Sequence, residues 1–193
     1  MSQLTNFGEN MLADYIRGQG MPLPTSFHIG LLSDVSDSTY TEVAWTGYAR
    51  QESVRSALQW SGTQFPGSTL ASTGTSHQTS NNAAFDFGEV GVGGAAGITH
   101  VGLFAGSDLF AFAQLSTPMA VSEGDPVSIA AGAIVWTLGL TGGLSDYFSN
   151  KLIDLVWRGQ SFGMFVMPTT MFLRLFTGIP GNDGGGAEVS GAG

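Results

Sequence analysis

Residues 144–162 read LSDYFSNKLIDLVWRGQSF, and residues 4–22 read LTNFGENMLADYIRGQGMP. Shifted by 140 positions, Leu4, Asn10, Leu12 and Asp14 fall on Leu144, Asn150, Leu152 and Asp154. After one inserted residue, Arg17-Gly18-Gln19 falls on Arg158-Gly159-Gln160. In the first stretch the apolar residues Leu4, Phe7, Met11, Leu12, Tyr15 and Ile16 make one stripe at helical spacing. Gly18 and Gly20 end that helix, and Pro22 and Pro24 keep it from resuming. In the second stretch Leu144, Tyr147, Phe148, Leu152, Leu155 and Val156 make the same stripe. Ser145 is its expected N-cap, with Asp146 in the first turn and Gly159 at the close.

The echo continues beyond the helix. PTSFHIGLLS (24–33) aligns with PTTMFLRLFT (168–177), and in the first of these Phe27, Ile29 and Leu31 alternate with His28, Gly30 and Leu32 as a strand requires. An Asp/Ser/Gly loop follows, ending in Glu42-Val43 in one copy and Glu188-Val189 in the other. The first copy runs on to GYARQ (47–51), and the second ends at Gly193, which aligns with Gly47. Further strands are expected near Trp60 and over Ala83–Phe87, Ile98–Ala105, Leu109–Leu115, Met119–Val121 and Val127–Leu138. Phe65–Asn82 is expected to be a long loop, and GEVGVGGAAG, GSD, STP and SEGDP to be turns. The fold class is therefore mainly β. It is an antiparallel β-sandwich or jelly-roll-like module with an N-terminal amphipathic helix, followed by a partial repeat of helix plus strand. The corresponding division is 1–141 for the module and 142–193 for the partial copy, read as an assembly arm whose removal leaves a foldable front end.

Composition narrows the partners. Only 11% of residues are charged and 29 are glycine, against ordinary values of about 25% and about 7%. The net charge is −9, and the six basic residues are scattered, so no nucleic acid is expected, because phosphate binding needs clustered Lys and Arg. No membrane partner is expected: the longest apolar run, Val127 to Leu140, is shorter than the ~20 residues of a spanning helix. Cysteine is absent, which removes thiolate chemistry and disulfides.

Several motifs appear in one order. An NxLxD…RG helix leads to a Pro-Thr strand, a Gly/Asp loop, TEV and GYAR. ITHVGLFA, LFAFAQLSTPMAV and GDPVSIAAGAIVWTL follow. The arrangement resembles a family of small structural proteins of tailed bacteriophages, of the tail-fibre or head-decoration type. The resemblance implies a non-enzymatic virion component with no cofactor. Its expected partners are copies of itself, a trimer being one option, and other virion proteins.

Other chemistry is weaker. GVGGAA (91–96) fits a dinucleotide fingerprint, but an alternating strand follows where a helix is needed. His28, His77 and His100 have no metal-ligand spacing. Asp86, Glu89, Asp108, Glu123 and Asp125 are the carboxylates open to acid–base or calcium chemistry, but no D-x-D-x-D-G pattern exists, and Glu123-Gly124-Asp125-Pro126 reads more simply as a turn. No Ser–His–Asp order is recognisable. Arg50 reads as an exposed arginine, with an inter-subunit ion pair as the alternative. Trp45, Tyr48 and Trp60 are the aromatic candidates for a host-surface glycan, or else core. The candidate interface is the apolar load of the second copy: Tyr147, Phe148, Leu152, Trp157, Phe162, Phe165, Phe172 and Leu175. With Met164, Val166 and Met167, it exceeds what one helix and one strand bury, so a partner chain is expected to cover it.

Overall fold

Thr5 and Ser145 occupy equivalent places in the two copies, and each starts a helix. In a computed structural model describing residues 2–94, 96–138, 145–159, 170, 174–181, 183 and 185–189, α1 spans Asn6–Ile16 and α2 spans Asp146–Val156. The side chains of Thr5 and Ser145 accept from Gly8 N and Phe148 N, satisfying one of the open N–H groups at each helix start. α1 ends as its glycine requires: Gly18, at φ 84°, donates to Tyr15 O, and Gln19 donates to Asp14 O.

The strands are β1 (Ser2–Leu4), β2 (Ser26–Val35), β3 (Tyr40–Glu42), β4 (Gln51–Val54), β5 (Gln78–Ser80), β6 (Phe85–Glu89), β7 (Ala96–Ala105), β8 (Asp108–Val121), β9 (Pro126–Ile129) and β10 (Val135–Thr137). The main sheet runs β1-β8-β7-β2-β3, with β4 also on β2, and every pairing is antiparallel. Two ribbons, β6–β9 and β5–β10, form separate two-stranded sheets. Their Phe85, Phe87, Val127, Ile129 and Trp136 share one core cluster with Phe27, Ile29 and Leu31 of β2 and Val101 and Leu103 of β7. The result is a mainly β, sandwich-like module.

The alternation in β2 behaves as read. Phe27, Ile29 and Leu31 enter the main core, while Leu32 joins a second cluster with Phe104, Leu109 and Phe112 on the opposite face. Gly30 pairs with Gly102 across β2 and β7. A Cβ at either would come within 2.8 and 2.7 Å of the Phe104 ring. The two glycines therefore make room for Phe104 to lie flat on the sheet.

Several strand boundaries differ from expectation: β5 falls inside the expected Phe65–Asn82 loop, and Leu4, expected on the helix stripe, pairs with Ala111 in β1. Trp60 lies after a turn and makes one isolated bridge, to Asn81, rather than a strand. The STP segment does not break its strand: β8 continues through it, and residues 115–118 bulge opposite Thr99 alone. A bulge admits a proline because the extra residues leave the ladder. Val127–Leu138 is two strands. The break between them is held by Asn81, whose Oδ1 accepts from Ile134 N at 2.8 Å and whose Nδ2 donates to Ala130 O at 2.9 Å.

The second copy repeats a register as well as a helix. In the first copy Leu32 pairs with Glu42, and Val43 N donates to Leu31 O at 3.0 Å. At the aligned positions Phe176 bridges Glu188, and Val189 N donates to Leu175 O at 2.8 Å. α2, however, packs inside the first copy: Leu152, Ile153, Val156 and Trp157 belong to its main core.

Candidate functional site

The segment from Ser61 to Ser76 is rich in Ser, Thr and Gly, and its own hydroxyls satisfy much of its backbone. Thr63 Oγ1 accepts from Gly74 N at 2.8 Å, Ser76 Oγ donates to Thr63 O at 2.6 Å, and Gln64 Nε2 donates to Thr73 Oγ1 at 3.0 Å and to Ala71 O. Folded this way, it presents a slot of hydroxyls, amides and carbonyls, and α2 lies in it. Thr63 Oγ1 donates to Asn150 Oδ1 at 2.6 Å, and Asn150 Nδ2 donates to Gly74 O at 3.0 Å. Ser72 donates to both oxygens of Asp154, from N at 3.0 Å and from Oγ at 2.6 Å. Arg158 donates to Asp154 Oδ1 at 2.6 Å and to Trp60 O at 3.0 Å, and its Nη2 reaches Ser68 O at 3.5 Å. Burial pulls the Arg158 guanidinium below its ordinary pKa, and Asp154 opposes that shift. Arg55 closes the far end, donating to Val156 O at 2.8 Å, to Leu155 O and to Pro24 O at 2.9 Å. A cation there satisfies the last carbonyls of the helix and its dipole.

This geometry corrects part of the interface expectation. Leu152 and Trp157 are buried by their own chain, with the Trp157 ring 6.5 Å from Trp136 and 6.4 Å from Phe110. They fill the space between sheet and ribbons, so no partner is needed to cover them. Phe148 is half-buried against the same core, while Tyr147 and Leu175 are exposed. Phe162, Phe165 and Phe172, like Met164, Val166 and Met167, lie outside the described residues.

His77 joins the slot to the start of α2: Asp146 Oδ1 lies 2.7 Å from Nε2, and Ser149 Oγ lies 2.9 Å from Nδ1. Sequence order gave no sign of this Ser–His–Asp chain, because His77 and Ser149 stand 72 residues apart. Ser149 is 0% exposed, so no substrate carbonyl reaches its hydroxyl, and a nucleophile needs that approach. The chain acts as a tie between loop and helix.

Arg50 is partly buried and pairs with a carboxylate of its own chain. Its Nε and Nη2 bind the Glu42 carboxylate at 2.9 and 2.7 Å, and its guanidinium lies 3.4 Å from the Phe104 ring centroid. The bond to Glu42 raises the Arg50 pKa. Tyr48 completes the cluster, donating to Glu42 Oε1 at 2.9 Å and accepting from Leu31 N at 2.8 Å. Burial pushes the phenol well above its ordinary pKa. Trp45 and Trp60 are core residues and Tyr48 is partly buried, so none of the three offers a ring to a glycan.

The remaining candidates are structural. Residues 91–94 form a turn that leads into strand β7, and the dinucleotide reading needs a helix there. Asp86 accepts from Gly88 N at 2.9 Å and Asp125 from Ser122 N at 2.8 Å, each shaping a turn. His100 packs edge-on against Phe112, and desolvation lowers its pKa. His28 sits in β2 opposite Phe104. Among the described residues no three His, Asp or Glu side chains converge as metal ligands, and no helix is long and apolar enough to cross a membrane.

The family model described as Podophage GP4 fiber I protein gp80 matches residues 3–137 and 143–193. The chain belongs to that family. No curated protein matches it. As a gp80-type fibre protein it is a structural component of the phage particle, in the tail, and the head-decoration option falls away. The gp80 match skips residues 138–142, the segment that links β10 to the helix in the slot.

Proposed function

We propose that this chain is a non-enzymatic building block of the fibre that holds its place by burying surface against other virion chains, including copies of itself. The observation that carries this reading is the exposed apolar side chains on and beside the slot segment. Leu58, Phe65 and Leu70 are exposed, and Phe65, Pro66 and Val135 line one shallow cavity of about 120 Å³. Phe65, Pro66 and Val135, gathered at that cavity on a low-charge protein, support a contact surface there. In the second copy the side chains of Tyr147, Leu175, Ile179 and Val189 are exposed. In this reading the boundary near residue 142 separates repeat units.

The test is assembly of the full chain. Sedimentation of the purified protein is expected to show concentration-dependent oligomers, and a Phe65→Glu/Leu70→Glu variant is expected to lose them while keeping its melting temperature. A wild-type chain that stays monomeric and is absent from particles defeats the reading.

A second reading, a glycan contact, is favoured by a cleft of about 300 Å³ between the start of α1 and the β2–β3 turn. It is lined by Asn6, Phe7, Asp37, Tyr40 and Asp108, among others, and the Phe7 and Tyr40 rings are exposed. Rings beside carboxylates and an amide suit a sugar. Binding to a glycan array that disappears in Tyr40→Ala would support it, and an array with no hits would remove it.

A further inference from the structure

The two copies differ in what covers them. In the helices the exposed acid–arginine pair is Asp14–Arg17 of α1, and its counterpart in α2 is buried. In the hairpins the second copy is the exposed one. Leu175 and Val189 are 66% and 48% exposed, where the aligned Leu31 and Val43 are 0% and 5%. The second hairpin is held by backbone bonds from Thr177 N to Ala187 O, Gly181 N to Gly185 O and Val189 N to Leu175 O. A two-stranded hairpin alone in water is marginal. Because Leu175 O and Thr177 N face inward, the N–H and C=O groups of Arg174 and Phe176 face outward, as strand alternation requires. At the aligned positions Gly30 and Leu32 pair with Gly102 and His100 of β7. Among the described residues no strand pairs with this edge of the second copy. A β7-type strand does not fit there. In the first copy the Phe104 ring leaves no room for a Cβ at Gly30, and Arg174 stands at the aligned position.

We infer that the edge at Arg174–Phe176 pairs with the same edge of a second copy of this chain, antiparallel about a two-fold axis at Leu175. The inference rests on the assembly reading above and names one joint of it. Its support is self-complementarity. About that axis the outward N–H and C=O groups of Arg174 meet those of the partner's Phe176, and the reverse pair forms with it, so every outward group of the two residues finds a partner. The side chains agree with this register. Successive residues point to opposite faces, so Arg174 comes beside the partner's Phe176 on one face, and the two Leu175 side chains meet on the other. The first copy makes the same kind of contact within one chain, with the Arg50 guanidinium 3.4 Å from the Phe104 ring centroid and paired with Glu42. Glu188 lies 3.8 Å from Arg174, so each guanidinium keeps a carboxylate close by. So short an edge buries less than the ~1,000 Å² of a free-standing interface. The joint therefore forms between copies that the surface near Phe65 has gathered.

The test uses the full chain at concentrations where it sediments as oligomers. The chain has no cysteine, so a single introduced thiol reports on one position. Facing residues of a non-hydrogen-bonded antiparallel pair have Cα atoms about 4.5 Å apart, within disulfide reach. Leu175→Cys is therefore expected to form a disulfide-linked dimer under mild oxidation at least about tenfold faster than Ile179→Cys, because paired thiols act at a raised effective concentration. Ile179 is on the same hairpin and 99% exposed, so its variant reports collision alone. Arg174→Pro removes an outward N–H, which an exposed strand edge tolerates, and is expected to bring the Leu175→Cys rate down to the Ile179→Cys rate. Equal rates for the two thiols, or a fast rate that Arg174→Pro leaves unchanged, overturn the inference while the oligomers remain and the assembly reading stands. A wild-type chain that stays monomeric and is absent from particles overturns both.

Discussion

Asp14 and Asp154 are the same residue of a repeated motif in two environments, and their energetics part accordingly. Asp154→Ala leaves the Arg158 guanidinium buried without its counter-charge, which costs about 3–5 kcal/mol. Asp14→Ala removes an exposed pair and is expected to change stability by less than about 0.5 kcal/mol. Chemical denaturation of the two variants side by side checks the contrast. Tyr48 makes a second prediction. Its hydroxyl serves both Glu42 and Leu31 N, so Tyr48→Phe is expected to cost about 1–3 kcal/mol. Because burial raises the phenol pKa in the folded state, its contribution is complete below about pH 10, where the unfolded phenol titrates, and is lost as pH rises further. Denaturation midpoints at pH 8 and pH 11 should separate more for wild type than for Tyr48→Phe. Motif reading found Asp154 and Arg158 by their repetition, but nothing local to GYARQ announced that Arg50 would turn back onto Glu42 and Phe104.

The two helix-closing glycines extend the comparison to whole elements. Gly18 and Gly159 both have positive φ, 84° and 63°. A Cβ at Gly18 meets nothing within 4 Å, whereas one at Gly159 comes within 2.7 Å of Arg55 O. Gly18→Ala is expected to cost about 1 kcal/mol, the ordinary strain of that conformation. Gly159→Ala is expected to cost about 1–3 kcal/mol, because the Arg55 brace at the end of α2 must move. Thermal melts of the two variants decide it. Both helices were legible from stripe and glycine, and the second from its Ser145 cap as well, since these are local signals that need no partner. The strand ends were not: β8 crosses STP because a bulge opposite Thr99 absorbs it, and Val127–Leu138 splits where Asn81, some fifty positions earlier, offers its amide.

For the molecule as a whole, the repeat boundary and the hydrophobic core do not coincide. Leu152, Ile153, Val156 and Trp157 lie in the first copy's core. Burying each such side chain is worth about 1.5–3 kcal/mol, so together they match the 5–15 kcal/mol that stabilises an ordinary domain. A chain ending at residue 143 is therefore expected to lose its cooperative melt and bind a hydrophobic dye, contrary to the foldable front end that sequence reading expects. Circular dichroism and dye fluorescence on that truncation check it. By itself the sequence determined the β-rich class, the two helices and the duplication, because periodicity and glycine placement act over a few neighbouring residues. Only the tertiary structure decided that the second helix belongs to the first copy and that Ser72, Asp154 and Arg158 form one buried cluster. Ser72 stands more than eighty positions from Asp154 and Arg158, and which apolar stripe covers which sheet is settled by shape and hydrogen-bond satisfaction in three dimensions.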